Sequence, residues 1–444
     1  MPDQAVKRLS SSIGESTPLK MPRQSVTTQR YQTCLQPMPL TPPDPLTEPT
    51  PTRIQWQEAG SPCSARWRSE RGLAPAPRVV LADDTTPADS AFKLACEGTA
   101  LLWRGDFQNA RQLLQAMARR ADQVSPRKRQ KTSPPENLLD ALNQHRQAQA
   151  RRARLLGMLL IEVNADYSVS LRRAPDSQAA LSAAWGAPDL AAGTSAVSLR
   201  ELLGIRSAHE WQRVGLEIAP LGAPPQNRIH PHYGVFSPVR GEYLQLVASA
   251  HLPKPPKGQQ QLTAFDIGTG TGVLAALLAR RGVGHIVATD MDPRALACAR
   301  ANILQLGLEA QVSIVQADLF PPGLASLIVC NPPWLPLRPG SPLERAVYDE
   351  DGRMLRGFLQ GLRAHLAPKG EGWLILSNLA ELLGLRSRDD LLAEFERNGL
   401  RVVSRIDAKP LHPKASDASD PLHAARAKEV TSLWRLAALA MPQA

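Results

Sequence analysis

In the second half of the chain, short apolar runs alternate at regular intervals with stretches of helical period. A run of four to eight apolar residues bounded by turn residues reads as a strand buried on both faces, whereas a 3.6-residue period reads as a helix packed against it. On this pattern strands are expected near 262–267, 285–290, 311–316, 325–330, 371–377, 401–407 and 430–439, and helices over roughly 271–281, 293–307, 352–366 and 388–398. Strand–helix alternation of this kind predicts an α/β fold with a seven-stranded, doubly wound, Rossmann-like sheet over residues 226–444. Between the last two strands lies only the loop KPLHPKASDASDPLHAARA, so that final pair should run antiparallel.

Upstream the pattern is less regular. From Ala88, DSAFKLACEGTALLWRG carries apolar residues at helical spacing, and GDFQNARQLLQAMARRA starts a second helix after Gly105, a pair that looks like one tetratricopeptide-type hairpin. A helix rich in Gln, Arg and Ala should run from about Glu136 to Leu156. MLLIEVNADYSVSLRRA reads as a β-hairpin turning at Asn164-Ala165-Asp166, and Ser198–Val214 as an amphipathic helix. Residues 88–225 are thus expected to form a smaller α+β accessory domain, placed where a substrate-recognition module would sit. Residues 1–87 hold no sustained apolar period and are rich in Pro, Ser, Thr and Gln, so they are expected to be a disordered tail.

Composition sharpens this picture in three places. The 444 residues exceed one ordinary domain, and the 40 prolines cluster instead of being spread evenly. Of the net charge of +11, residues 101–160 supply eight, from twelve Lys or Arg less four Asp or Glu. That excess, which includes SPRKRQKTSPP (Ser125–Pro135), fits a nucleic-acid contact and fits equally a solvated helical face beside a charged linker. Five scattered cysteines show no metal-ligand spacing and suit a reducing compartment. With no apolar run long enough to span a bilayer, the expectation is a soluble, cytoplasmic protein that does not engage a membrane.

Candidate chemistry centres on AFDIGTGTGVLA, Ala264–Ala275. A strand that turns through Gly268, Gly270 and Gly272, with Thr269 between them, brings bare backbone N–H groups close to a ligand at a helix N-terminus. The dinucleotide fingerprint would require glycine where Val273 stands. Asp266, two places before the first glycine, suits an amino group better than a pyrophosphate and points to the methionine half of S-adenosyl-L-methionine. Asp290 ends the next strand and is placed to accept from ribose hydroxyls; Asp292, before Pro293, reads as a helix N-cap. Asp318 ends the third strand, where a carboxylate can accept from an adenine amine. After the fourth strand comes Asn331-Pro332-Pro333-Trp334. The Asn331 Oδ1 and the Pro332 carbonyl can accept both N–H bonds of a planar nitrogen, the two prolines keep these acceptors extended, and Trp334 offers a ring to stack on. His230 and His232 flank Pro231 but lack a third ligand candidate, so no metal is expected.

Taken together, these motifs resemble class I S-adenosylmethionine-dependent methyltransferases of the small-domain, NPPY-type family, and within it the protein-glutamine N5-methyltransferases. Asp266–Gly272 is similar to that family's first motif, Asp290 to its ribose-binding acid, Ala317–Phe320 to its adenine-side motif and Asn331–Trp334 to its catalytic turn, with tryptophan for the usual tyrosine. Val347–Gly352 faintly echoes the acidic stretch that follows, and Gly234–Tyr243 occupies the place of a cofactor-covering segment without the family's RPETE-like sequence. The resemblance implies methyl transfer to a planar nitrogen. Its acceptor would be a glutamine amide of a translation-related protein or an exocyclic base amine of RNA or DNA. A binding module without turnover and a small-molecule methyltransferase are the alternatives.

Overall fold

The computed structural model describes residues 52–123, 135–239, 241–258, 260–341, 344–410 and 422–439. Of the sequence expectations, the tail up to residue 51, most of the basic Ser125–Pro135 patch and the centre of the loop between the last two strands lie outside them.

The N-terminal sheet is the main departure from the sequence reading. Residues 52–87 are ordered and supply three strands, β1 (Arg53–Glu58), β2 (Ser61–Trp67) and β3 (Arg78–Ala82). These join β4 (Thr99–Trp103), β5 (Leu159–Val163) and β6 (Ser195–Ser198) in a six-stranded sheet of order β1-β2-β6-β5-β4-β3. The prolines that suggested disorder fall mostly outside the strands, and β1 alternates as an edge strand should, with Ile54 and Trp56 turned inward. The helices are α1 (Ala88–Cys96), α2 (Phe107–Asp122), α3 (Leu138–Leu156), α4 (Gln178–Trp185) and α5 (Leu199–Val214). Between α1 and α2 lies strand β4, so the two are not a tetratricopeptide-type hairpin; TALLW is buried at every position and joins the sheet instead. Likewise β5 has no hairpin partner. Its chain turns at Asn164, whose N–H donates to the Ser168 carbonyl at 2.9 Å, but β5 pairs with β4 and β6. Leu101, Trp103, Leu159, Ile161 and Val197 face the helices, while Ala100, Leu102, Leu160 and Ala196 join Ile54 and Trp56 on the other face.

A two-stranded ribbon, β7 (Leu216–Glu217) with β8 (Arg228–Ile229), leads into the second sheet. Its strands are β9 (Thr263–Ile267), β10 (His285–Asp290), β11 (Val312–Gln316), β12 (Ala325–Cys330), β13 (Leu366–Ser377), β14 (Leu400–Ala408) and β15 (Thr431–Ala438). In the order β11-β10-β9-β12-β13-β15-β14, the first five are parallel and β15 is antiparallel to both β13 and β14. All seven lie where the apolar runs placed them, to within a few residues. Along β12 and β13 successive residues alternate between two cores, Leu327, Val329, Trp373 and Ile375 on one face and Ile328, Cys330, Leu374 and Leu376 on the other. Helices α6 (Glu242–Ser249), α7 (Val273–Arg280), α8 (Pro293–Gln305), α9 (Arg353–His365) and α10 (Arg388–Arg397) accompany it.

Helix α3 joins the two sheets. Ala141 and Leu142 pack with Leu335, Leu379, Leu383 and Leu422, and Arg146 donates to the Arg338 carbonyl at 2.9 Å with its guanidinium 4.4 Å from the Tyr348 ring centre. Among the described residues, three of the twelve basic side chains of 101–160 are ion-paired within the fold, Arg104 with Glu58 and Glu162, Arg120 with Asp89 and Arg152 with Asp122. No described helix is long and apolar enough to cross a membrane.

Candidate active site

The pairing of β9 with its neighbours sets the site. Cys330 lies opposite Ile267, and Thr289 opposite Ile267 on the other side, so Gly268, Asp290 and Asn331 leave the sheet next to one another at the carboxyl ends of three adjacent strands. Ligands of parallel sheets bind at that end.

Within the glycine loop, Gly268, Gly270 and Gly272 all have positive φ, at 71°, 56° and 81°, which explains why no side chain is used there. They differ in surroundings. A Cβ on Gly268 would come within 2.3 Å of Met354 Cε, and one on Gly272 within 3.3 Å of Ala299 Cα, but one on Gly270 would enter open space. Gly272 thus admits α8 close to the loop, and Gly270 faces the open cleft.

Asp266 is completely buried. Its Oδ2 accepts from Thr269 Oγ1 at 2.6 Å and from the Ala275 N–H at 3.0 Å, which ties the loop to α7, while its Oδ1 has no hydrogen-bond partner among the described residues. Burial pushes its pKa up to about 7. An orphaned, desolvated carboxylate oxygen is costly, and a cationic ligand group would offset that cost. Asp290 accepts from the Gly270 N–H through Oδ2 and from the Asp292 N–H through Oδ1, each at 3.0 Å, and burial raises its pKa. It therefore braces the loop, while the helix cap is Asp292 alone, whose Oδ1 accepts from the Arg294 N–H at 2.9 Å.

Asn331, Pro332, Pro333 and Trp334 follow β12 directly, and Trp334 Nε1 donates to Asn331 Oδ1 at 3.0 Å. Beyond the turn, Leu335 bridges to Tyr348 and its carbonyl accepts from the Asp349 N–H at 2.8 Å. Asp349 in turn caps α9, accepting from the Met354 and Leu355 N–H groups at 2.9 and 3.1 Å. The sequence showed Asp349 only as part of an acidic stretch. Its capping role needs a helix start four residues on, and Met354 reaches Gly268 only because α9 starts there. Asp318 stands apart. It is exposed one strand further out, and Arg353 lies 3.2 Å from it. His230 Nδ1 lies 2.6 Å from the Gln212 carbonyl and Nε2 2.8 Å from Gln305 Nε2, so its ring joins α5 to α8. Among the described residues no three side chains of ligating type are grouped for a metal.

A seven-stranded sheet with one antiparallel strand inserted, a glycine loop after the inner strand β9 and an acid at the tip of the neighbouring β10 define a methyltransferase-type domain. Residues 226–385 match the family model described as Methyltransferase small domain, and this block is such a domain. Three relatives show the spread of acceptors. The ribosomal protein L11 methyltransferase of Pelotomaculum thermopropionicum is 44% identical over 71 residues, covering 16% of this chain and 23% of that one. The release factor glutamine methyltransferase of Cereibacter sphaeroides is 30% identical over 168 residues, covering 33% and 60%. The tRNA1(Val) (adenine(37)-N6)-methyltransferase of Shewanella loihica is 30% identical over 167 residues, covering 35% and 66%. The chain spans between 23% and 66% of the length of these relatives. S-adenosyl-L-methionine is the cofactor of the domain, and the orphaned Asp266 Oδ1 and the open face at Gly270 fit it.

Proposed function

We propose that the protein is an S-adenosylmethionine-dependent N-methyltransferase acting on a planar nitrogen. That nitrogen is either a glutamine amide in a translation-related protein or an exocyclic base amine of RNA or DNA. The observation that carries this reading is the emergence of Asn331 beside Gly268, one strand over from the glycine loop. Asp266, Gly268, Thr269, Gly270 and Gly272 would hold the methionine half, Asp290 the ribose and Asp318 the adenine. When bound, the cofactor supplies a methyl group already activated by its positive sulfur.

The protein's own part is positioning. An amide oxygen has two lone pairs, and Trp334 occupies one of those on Asn331. The other is left to accept an N–H of the target nitrogen, with the Pro332 carbonyl as second acceptor. Both bonds localise the nitrogen lone pair, and the proline-stiffened turn holds it in line. The Trp334 ring supplies a flat apolar surface that suits an amide or a base.

Labelled methyl transfer from S-adenosylmethionine into a lysate, split afterwards by protease and by nuclease, tests this against an Asn331→Ala control. Label released by protease and lost in the variant supports a protein glutamine; label released by nuclease supports a base amine. Cofactor binding with no label in either fraction would overturn the macromolecular acceptor.

A further inference from the structure

Past the end of β2 the chain makes a tight turn, Ser69–Gly72, closed by the Gly72 N–H donating to the Ser69 carbonyl at 3.1 Å. Its root is in the N-terminal module. The Glu70 N–H donates to Glu201 Oε1 at 2.5 Å, and Glu201 is a buried residue in the first turn of α5. The Glu70 and Arg71 side chains point the other way, into the methyltransferase block. Glu70 Oε2 lies 2.6 Å from Arg294 Nη2, and Arg71 Nη2 lies 3.8 Å from Glu344 Oε1. Glu344 is itself buried, and its Oε2 accepts from the Gly340 N–H at 2.7 Å.

The two anchors follow the two strands that flank β9. Arg294 is the second residue of α8, which follows β10, and Glu344 follows β12 and the Asn-Pro-Pro-Trp turn. In the sheet β9 lies between β10 and β12. The Ser69–Gly72 turn thus links the chain that follows β10 to the chain that follows β12, the two strands that flank β9 and its Gly268–Gly272 loop. Tyr233, at the start of the Gly234–Tyr243 segment, packs against the N-terminal core.

We propose that the Ser69–Gly72 turn is a strap contributed by the N-terminal module across the cofactor site, with Glu70 and Arg71 as positioning residues that hold the cleft closed on S-adenosylmethionine and govern the escape of S-adenosylhomocysteine. This rests on the cofactor site proposed above. The N-terminal module is then part of the catalytic unit.

The test uses the full chain loaded with labelled S-adenosylhomocysteine and chased with excess unlabelled compound. Arg294 is 43% exposed and Glu70 15%, so the pair is partly screened by water, and Glu70→Gln and Arg294→Gln should each speed release by roughly twofold to fivefold, with the double variant no faster than either. Arg71→Gln, at the other anchor, should also speed release. Unchanged release in the single variants, or effects that multiply in the double, would overturn the strap while leaving the cofactor site intact. So would release rates that merely track a fall in the melting temperature of the unliganded protein. A wild-type chain that fails to retain the labelled compound would instead overturn the site, and the strap with it.

Discussion

Trp334 Nε1 donates to Asn331 Oδ1 at 3.0 Å, so the ring three residues downstream fixes the direction of the amide that we propose meets the methyl acceptor. Tryptophan here does two things at once, offering a face for stacking and an N–H that orients its neighbour. Phenylalanine would keep the first and lose the second. We expect Trp334→Phe to lower kcat by roughly tenfold to a hundredfold, the scale of a small misplacement of a reacting group. Cofactor affinity should be unchanged. Asn331→Ala should lower kcat further, again with cofactor binding retained. Steady-state kinetics beside calorimetric titration of S-adenosylhomocysteine would separate the two effects, and a parallel loss of cofactor affinity would argue against the assignment.

The buried Asp266 carboxyl should leave a pH signature. Its folded-state pKa, about 7, lies above the ordinary value of 3.8 because burial disfavours the charged form. Between about 4 and about 7 the folded protein therefore holds a proton that the unfolded chain has released, and its stability from this group falls as pH rises through that window. Below it both states are protonated, and above it both are ionised with the penalty constant. Thermal melts of the cofactor-free protein should show that slope, and Asp266→Asn should flatten it. Because a cationic amino group favours the ionised carboxylate, the thermal shift given by S-adenosylmethionine should be larger near about pH 8 than near about pH 5. An equal shift at both would remove Asp266 from the binding of the amino group.

Alanine substitutions in the glycine loop should separate stability from binding. At Gly270 the added methyl meets nothing within the protein, so the cost to the free fold is the left-handed backbone alone, about 1–2 kcal/mol. Cofactor binding should nevertheless be lost, because the methyl projects into the cleft. Gly272→Ala adds contact with Ala299 at 3.3 Å to the same backbone strain and should destabilise the fold more. Melting temperatures and cofactor titration on the two variants check this. Retained binding in Gly270→Ala would place the ligand elsewhere.

The middle of the second sheet was legible because β9, β12 and the second half of β13 are buried on both faces and therefore read as continuous apolar runs, whereas the edge strands β11 and β14 are largely exposed. The glycine loop and the Asn-Pro-Pro-Trp turn were legible for a related reason: backbone conformation there restricts the residue type, so the restriction is written locally. The strands β1 to β3 were not. Arg53–Glu58 has an edge strand's alternation, but over six residues amid many prolines that signal is weak, and it acquires meaning only when Ile54 and Trp56 meet Ala65, Ala100 and Leu102. The turn around Asn164 was readable, whereas the sheet partners of β5 were not, because a turn is local and strand pairing is not.

By itself the sequence determined the strand–helix order of the methyltransferase block, the identity of its glycine loop and the chemical character of the Asn-Pro-Pro-Trp turn. These follow from periodicity, backbone conformation and side-chain chemistry, all of which act within a few residues. Only the tertiary structure decided that Asp290 braces the Gly270 N–H, that Asp349 caps the helix carrying Met354 over Gly268, and that Glu70 reaches Arg294 across more than half the chain. Each of those contacts depends on which strands are neighbours and on how closely their loops approach. Strand order is chosen by burial of the whole sheet and not by any one segment, so no local pattern could have announced them.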